Sequence, residues 1–163
     1  VNCEMRTLGS NIDVEDTVVA TFGFKNGGVG TLEITTAARP IDYEASVSIL
    51  GSKGMAQIGG IAVNKLETFT PKPIDILKFS ESFKRDIYGF GHKYLYKSIG
   101  DYFFKKKKFL ISFDDCIKTL RLLHCFYNSA EKNKKEYFEN SKDSKKLGIK
   151  NEKISKLYRF NEK

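Results

Sequence analysis

The sequence predicts an α+β fold: an open, mainly antiparallel β-sheet with helices packed on one face. Two observations carry this. Through residue 69, apolar residues alternate with polar ones in short runs separated by tight-turn signals, the period-two pattern of half-buried strands. From His92 the apolar spacing lengthens to a helical one. Successive strands joined by short turns can only pair antiparallel. Two helices cover one face of a five- or six-stranded sheet, so its Thr- and Ser-rich other face is expected to meet a second domain, another subunit, or both.

In chain order, Asp16 to Phe24 is the first expected strand, with Val18, Ala20, Phe22 and Phe24 on one face. Lys25-Asn26-Gly27-Gly28 is a hairpin signal, because Asn-Gly readily supplies the positive φ that a tight turn needs. Val29–Ala37 returns, and Arg39-Pro40 ends it, since Pro donates no ladder hydrogen bond. Tyr43–Leu50 alternates again, Gly51-Ser52-Lys53-Gly54 turns, and Met55–Ile58 and Ile61–Phe69 continue the meander. Ile74–Phe79, after the Pro71 and Pro73 loop, is a further candidate edge strand. A helix bracketed by Gly91 and Lys105–Lys108 carries His92, Leu95, Tyr96, Ile99 and Phe103 on one face. A second opens at Ser112, whose spacing to Asp115 is that of a capping box. Its stripe is Phe113, Cys116, Ile117, Leu120, Leu123, His124 and Tyr127, running out near Ala130.

Composition bounds the function. The chain has 163 residues with 40% hydrophobic content, enough for one core and too apolar for disorder. No apolar run approaches the roughly 20 residues that cross a bilayer, and Val1-Asn2-Cys3-Glu4 has neither the basic start nor the apolar stretch of a signal peptide. The opening on Val1 rather than Met points to a fragment. Three cysteines without C-x-x-C spacing fit a reducing cytoplasm and speak against disulfides or zinc; Cys116 and Cys125 are expected to pack as small core hydrophobes. The net charge of +8 is lopsided, with 9 Lys and Arg against 11 Asp and Glu through residue 90, then 19 against 9. That excess is nearly all Lys, scattered among Asn, Glu and Ser, and reads as a solvated surface rather than a nucleic-acid face.

No residue set forms a self-sufficient active site. Gly51–Gly54 is followed by a strand, so it is a hairpin turn rather than a phosphate loop. Neither a G-x-G-x-x-G fingerprint nor a G-x-S-x-G elbow occurs, and the two histidines lack metal-ligand spacing. His124, on an apolar stripe, reads as a hydrogen-bonded structural residue. His92 starts a helix after Tyr88-Gly89-Phe90-Gly91, where side chains project toward ligands.

Asp16–Ala20, Lys25–Glu33, Thr36–Pro40, Tyr43–Ser46, Ile49–Gly54, Gly59-Gly60 with Ala62–Glu67, Gly91-His92 with Leu95-Tyr96, and Tyr127–Ala130 together resemble the C-terminal domain of the glucose–fructose oxidoreductase/inositol dehydrogenase/MocA family. The run from Arg39 through Asn64, with Gly-His later, is similar to the subgroup that oxidises C3 of UDP-N-acetylglucosamine or its uronic acid for lipopolysaccharide and other surface glycans. The resemblance implies a substrate and oligomerisation domain over residues 1–130, a Lys-rich extension over 131–163, and a separate N-terminal Rossmann domain as partner. It implies NAD(P) bound by the full-length enzyme and not by this fragment, a UDP-sugar substrate and homo-oligomers through the sheet face, while the composition points to no nucleic-acid or membrane partner. The family's catalytic Lys in Glu-Lys-Pro, with its Asp and His, is absent; Lys72-Pro73 follows Pro71 instead. A non-catalytic β-sheet interaction module is the alternative.

Within that pattern Arg39, Asn64 and His92 are the candidate substrate-binding residues. Arg39 follows a strand end and offers a planar fork suited to diphosphate or uronate oxygens; a surface salt bridge with Asp42 or Glu44 is the plain alternative. Asn64 is an amide in an otherwise apolar strand, and a bulge or edge position would explain it equally. His92 could donate to a ligand oxygen or simply contact its own loop.

Overall fold

A computed structural model of the chain describes residues 1–41, 43–72, 74–82, 89–109 and 111–149. They fall into two compact units, one of Val1–Ala38 with Ile111–Lys163 and one of Arg39–Leu110. The α+β class holds, with open antiparallel sheets and two helices. The continuous meander does not: there are two three-stranded sheets, one in each unit.

In the first unit, β1 (Asn2–Arg6), β2 (Thr17–Gly23) and β3 (Val29–Thr35) pair in sequence order. Cys3, Ala20 and Leu32 stand in one cross-strand row, and Met5, Val18 and Ile34 in the next. The 20-residue helix α2 (Phe113–Lys132) lies against β1 on that face. Phe126 packs there with buried Cys3, Met5 and Ala20, its ring edge-on to Phe22 at 6.4 Å between centroids. The opposite face presents Asn2, Glu4, Arg6, Thr17, Thr21, Thr31, Glu33 and Thr35 around Val19, and is polar.

β1 lies outside the expected strands, although its alternation of buried Cys3 and Met5 with exposed neighbours is in the sequence. The expected stripe of α2 is not its buried face. None of the seven stripe residues is buried: Phe113, Cys116, Ile117, Leu120 and Leu123 are exposed, which corrects the expected core role of Cys116, and only His124 and Tyr127 are half-buried. The helix buries Cys125, Phe126, Asn128 and Ser129 instead, which at 3.6 residues per turn lie on roughly the opposite side. The helix opens as expected, with the Ser112 hydroxyl accepting from Asp115 N–H at 3.1 Å and donating to the Asp115 carboxylate at 2.6 Å.

Two polar devices hold this unit. Asp16 closes the loop between β1 and β2. Its Oδ1 accepts from Leu8 N–H and the Thr17 hydroxyl, and its Oδ2 from the Gly9 and Ser10 N–H groups, all within 2.7–2.9 Å. Burial opposes the charge, but these four donors outweigh it and hold the carboxyl down to about 2. Residues 133–149 form the second device, strapped along α2. Asn128 donates to Lys142 O at 2.5 Å, Ser129 donates to Lys134 O at 2.7 Å, and Glu131 accepts from Ser144 and from Lys146 N–H. His124 is half-buried, with Nδ1 accepting from Ser144 N–H at 2.9 Å, as a structural residue should.

In the second unit, β4 (Val47–Gly51), β5 (Gly54–Gly59) and β6 (Lys65–Phe69) again pair in order. Ser52 and Lys53 make the expected hairpin turn, with Gly51 facing Gly54. A bulge at Gln57/Ile58 keeps Leu66 and Phe69 on the same face as Val47, Ile49, Ala56 and Ile58. That face is wholly apolar, and Val47, Ile49, Ile58 and Phe69 are exposed on it. The expected strand over Ile61–Phe69 begins only at Lys65, and the candidate edge strand at Ile74–Phe79 is a 3-10 turn over Ile76–Phe79. Asp75 decides the latter: its carboxylate accepts from Leu77 N–H at 3.2 Å and caps the turn. α1 (Gly91–Lys105) matches its expected bounds but buries none of its residues, so the expectation of both helices packed on a sheet face is met by α2 alone.

Candidate functional site

Arg39, Asn64 and His92 all belong to the second unit. Arg39 opens it, exposed, four residues beyond the end of β3 and joined to Pro40 by a cis peptide. His92 is exposed in the first turn of α1. Asn64 stands in the turn just before β6 rather than inside a strand.

That turn shows what the Asn64 amide does locally. Gly60 and Val63 both have positive φ, +88° and 54°, and the left-handed region is costly for a β-branched residue such as Val63. Asn64 compensates: its Oδ1 accepts from Ala62 N–H at 3.3 Å and its Nδ2 donates to Glu81 O at 2.6 Å. Glu81 N–H returns a bond to Asn64 O at 2.9 Å. The Glu81 carboxylate in turn accepts from the Tyr94 hydroxyl at 3.3 Å. Tyr94 is two residues beyond His92 on α1. The turn bearing Asn64 and the helix start bearing His92 are therefore joined through Glu81, which no sequence motif singles out.

Tyr94 also lines a pocket of about 260 Å³ with Lys97, Ser98, Asp101, Lys107 and Lys108. Positions 94, 97, 98 and 101 share a helix face, and Lys106 in the left-handed conformation turns the chain back over it. The two Asp101 oxygens take Lys105 at 2.7 Å and Lys107 at 3.4 Å. Those ammonium groups hydrogen-bond to the Asp101 carboxyl and, against a lesser opposing effect of burial, keep it below its ordinary value. Lys97 and Lys108 meet no carboxylate among the described residues, so the pocket is cationic and its chemistry favours an anion.

The described residues offer binding groups rather than a reaction centre. They hold no cluster of three or more His, Cys, Asp or Glu that could bind a metal, and no helix long and apolar enough to cross a membrane. Neither α1 nor α2 directly follows a strand through a glycine-rich turn, which is the geometry that seats a dinucleotide pyrophosphate.

Residues 1–57 match the GFO/IDH/MocA C-terminal domain. That span includes β1 and starts ahead of the strand from which the sequence resemblance was read. No curated protein matches the chain. Among solved structures, it is similar to the WlbA dehydrogenase from Bordetella pertussis in complex with NADH and UDP-GlcNAcA, at 28% identity and a TM-score of 0.63 over 81% of this chain and 37% of that one. It is similar too to the WlbA dehydrogenase from Chromobacterium violaceum in complex with the same two ligands, at 28% identity and a TM-score of 0.67 over 82% and 38%. The chain thus spans under two-fifths of the length of those enzymes. Residues 1–57 match the GFO/IDH/MocA C-terminal domain in sequence, and about four-fifths of the chain shares the fold of the two WlbA dehydrogenases.

Proposed function

We propose that this chain is the substrate-side and oligomerisation half of an NAD(P)-dependent sugar-nucleotide oxidoreductase. Its substrate would be a UDP-N-acetylhexosamine or the corresponding uronate, oxidised at C3 in the cytoplasm for surface-glycan synthesis. The observation that carries this reading is the likeness of four-fifths of the chain to two dehydrogenases that hold NADH and UDP-GlcNAcA. Hydride transfer needs a nicotinamide held against the carbinol carbon and a base for its proton. In this reading a Rossmann domain outside these residues supplies both, and the chain contributes the wall that binds the sugar nucleotide. Arg39 and His92 are exposed cationic or donor-bearing side chains of a chemistry suited to diphosphate or uronate oxygens, Asn64 shapes the turn before β6, and the cationic pocket along α1 supplies further positive charge.

The test is kinetic and uses the whole protein. Arg39→Ala is expected to raise KM for UDP-GlcNAcA about tenfold or more, the order of a lost charged hydrogen bond, and to leave KM for NAD unchanged. Wild-type values for both substrates would remove Arg39 from the site. No oxidation of UDP-GlcNAcA by the wild-type protein would overturn the substrate assignment.

Self-association belongs to the same proposal, and the apolar face of β4–β6 supports it better than the polar outer face of β1–β3. A contiguous apolar surface of this kind commonly marks an interface. Sedimentation velocity at micromolar concentration should show a dimer or larger species. A single monomeric boundary would count against it.

A further inference from the structure

We propose that Glu81 is a positioning residue for the sugar-nucleotide site, tying the β5–β6 turn that carries Asn64 to the helix that carries His92. The inference rests on the functional reading above and extends it to a residue that touches no substrate. Glu81 works from both ends. Its main chain is locked to Asn64 by two bonds, Nδ2 of Asn64 donating to Glu81 O at 2.6 Å and Glu81 N–H donating to Asn64 O at 2.9 Å. Its carboxylate accepts from the Tyr94 hydroxyl at 3.3 Å. Because α1 buries no residue of its own, packing does little to fix where its first turn stands. A hydrogen bond between polar groups then carries more of that orientation than it would in a packed helix. Losing it would let His92 drift from Asn64, and small misplacements of binding groups weaken substrate capture.

The side-chain and main-chain roles can be separated. Glu81→Ala removes the link to Tyr94 while keeping both main-chain bonds to Asn64. Glu81→Gln keeps an acceptor for the Tyr94 hydroxyl. In the whole enzyme, with UDP-GlcNAcA as the probe, Glu81→Ala should raise KM for the sugar nucleotide about tenfold with kcat and KM for NAD little changed, the scale of one hydrogen bond to a charged group. Glu81→Gln should restore most of the affinity. Tyr94→Phe should match Glu81→Ala, and the double variant should be no worse than either alone, because both remove the same bond. Should Glu81→Ala not fold, Tyr94→Phe carries the test by itself. Wild-type KM in Tyr94→Phe, or no rescue by Gln, would overturn the proposal while Arg39→Ala still reports on the substrate reading. A wild-type enzyme inert toward UDP-GlcNAcA would overturn both.

Discussion

Replacement of Phe126 by Ala is expected to destabilise the first unit by about 3–5 kcal/mol, enough to unfold a marginal domain. The ring is the largest side chain in the buried cluster, where it meets Cys3, Met5 and Ala20 and stands edge-on to Phe22. The helix turns preceding it contribute little, since α2 has no buried residue before Cys125. The packing of α2 on the sheet is therefore concentrated near residue 126. Phe126→Leu should retain about half of the loss. Urea unfolding followed by circular dichroism measures both, and a cost below about 1.5 kcal/mol for the Ala variant would contradict this account of the core.

Asp16→Ala should cost about 2–4 kcal/mol, through the N–H groups it leaves without an acceptor. Leu8, Gly9 and Ser10 all donate to this carboxylate, and the main chain of Asp16 is bonded on both sides, its N–H to Arg6 O and its C=O from Thr36 N–H. Its pH dependence has a definite sign. The folded-state pKa, about 2, is below the ordinary 3.8, so the charged carboxylate stabilises the fold above pH 4. That contribution, on the order of 1–2 kcal/mol, is lost as pH falls from about 4 through 2. Wild type and Asp16→Ala should accordingly draw together in stability as the solution is acidified through that window. A constant gap between pH 7 and pH 2.5 would show that the carboxylate charge is not what the loop holds.

Much of the local structure is legible in the residues themselves. Asn26-Gly27 makes its turn with Gly27 at φ +86°, Ser112 caps α2 through Asp115, and Gly91 and Lys105 bound α1 where the periodicity puts them. Each depends on contacts within a few positions, which spacing encodes directly. The family resemblance is legible for the same reason, because turns and strand edges recur at fixed intervals.

Tertiary structure decided what spacing cannot express. Alternation shows that a segment is a strand but not which strands share a sheet, and the single expected meander is two separate three-stranded sheets. Periodicity marked an apolar stripe on α2, but which face the helix turns to the sheet was set by the tertiary contacts: it buries Cys125, Phe126, Asn128 and Ser129, none of them in that stripe. The 3-10 turn at Ile76–Phe79 replaced a strand because one carboxylate found a nearby N–H. At the candidate site, the sequence singled out Arg39, Asn64 and His92 as residue types able to bind an anionic sugar nucleotide. Glu81 emerged only in three dimensions. Its two main-chain bonds and its carboxylate join segments 17 and 13 residues away, and an isolated Glu in a loop carries no pattern to announce that.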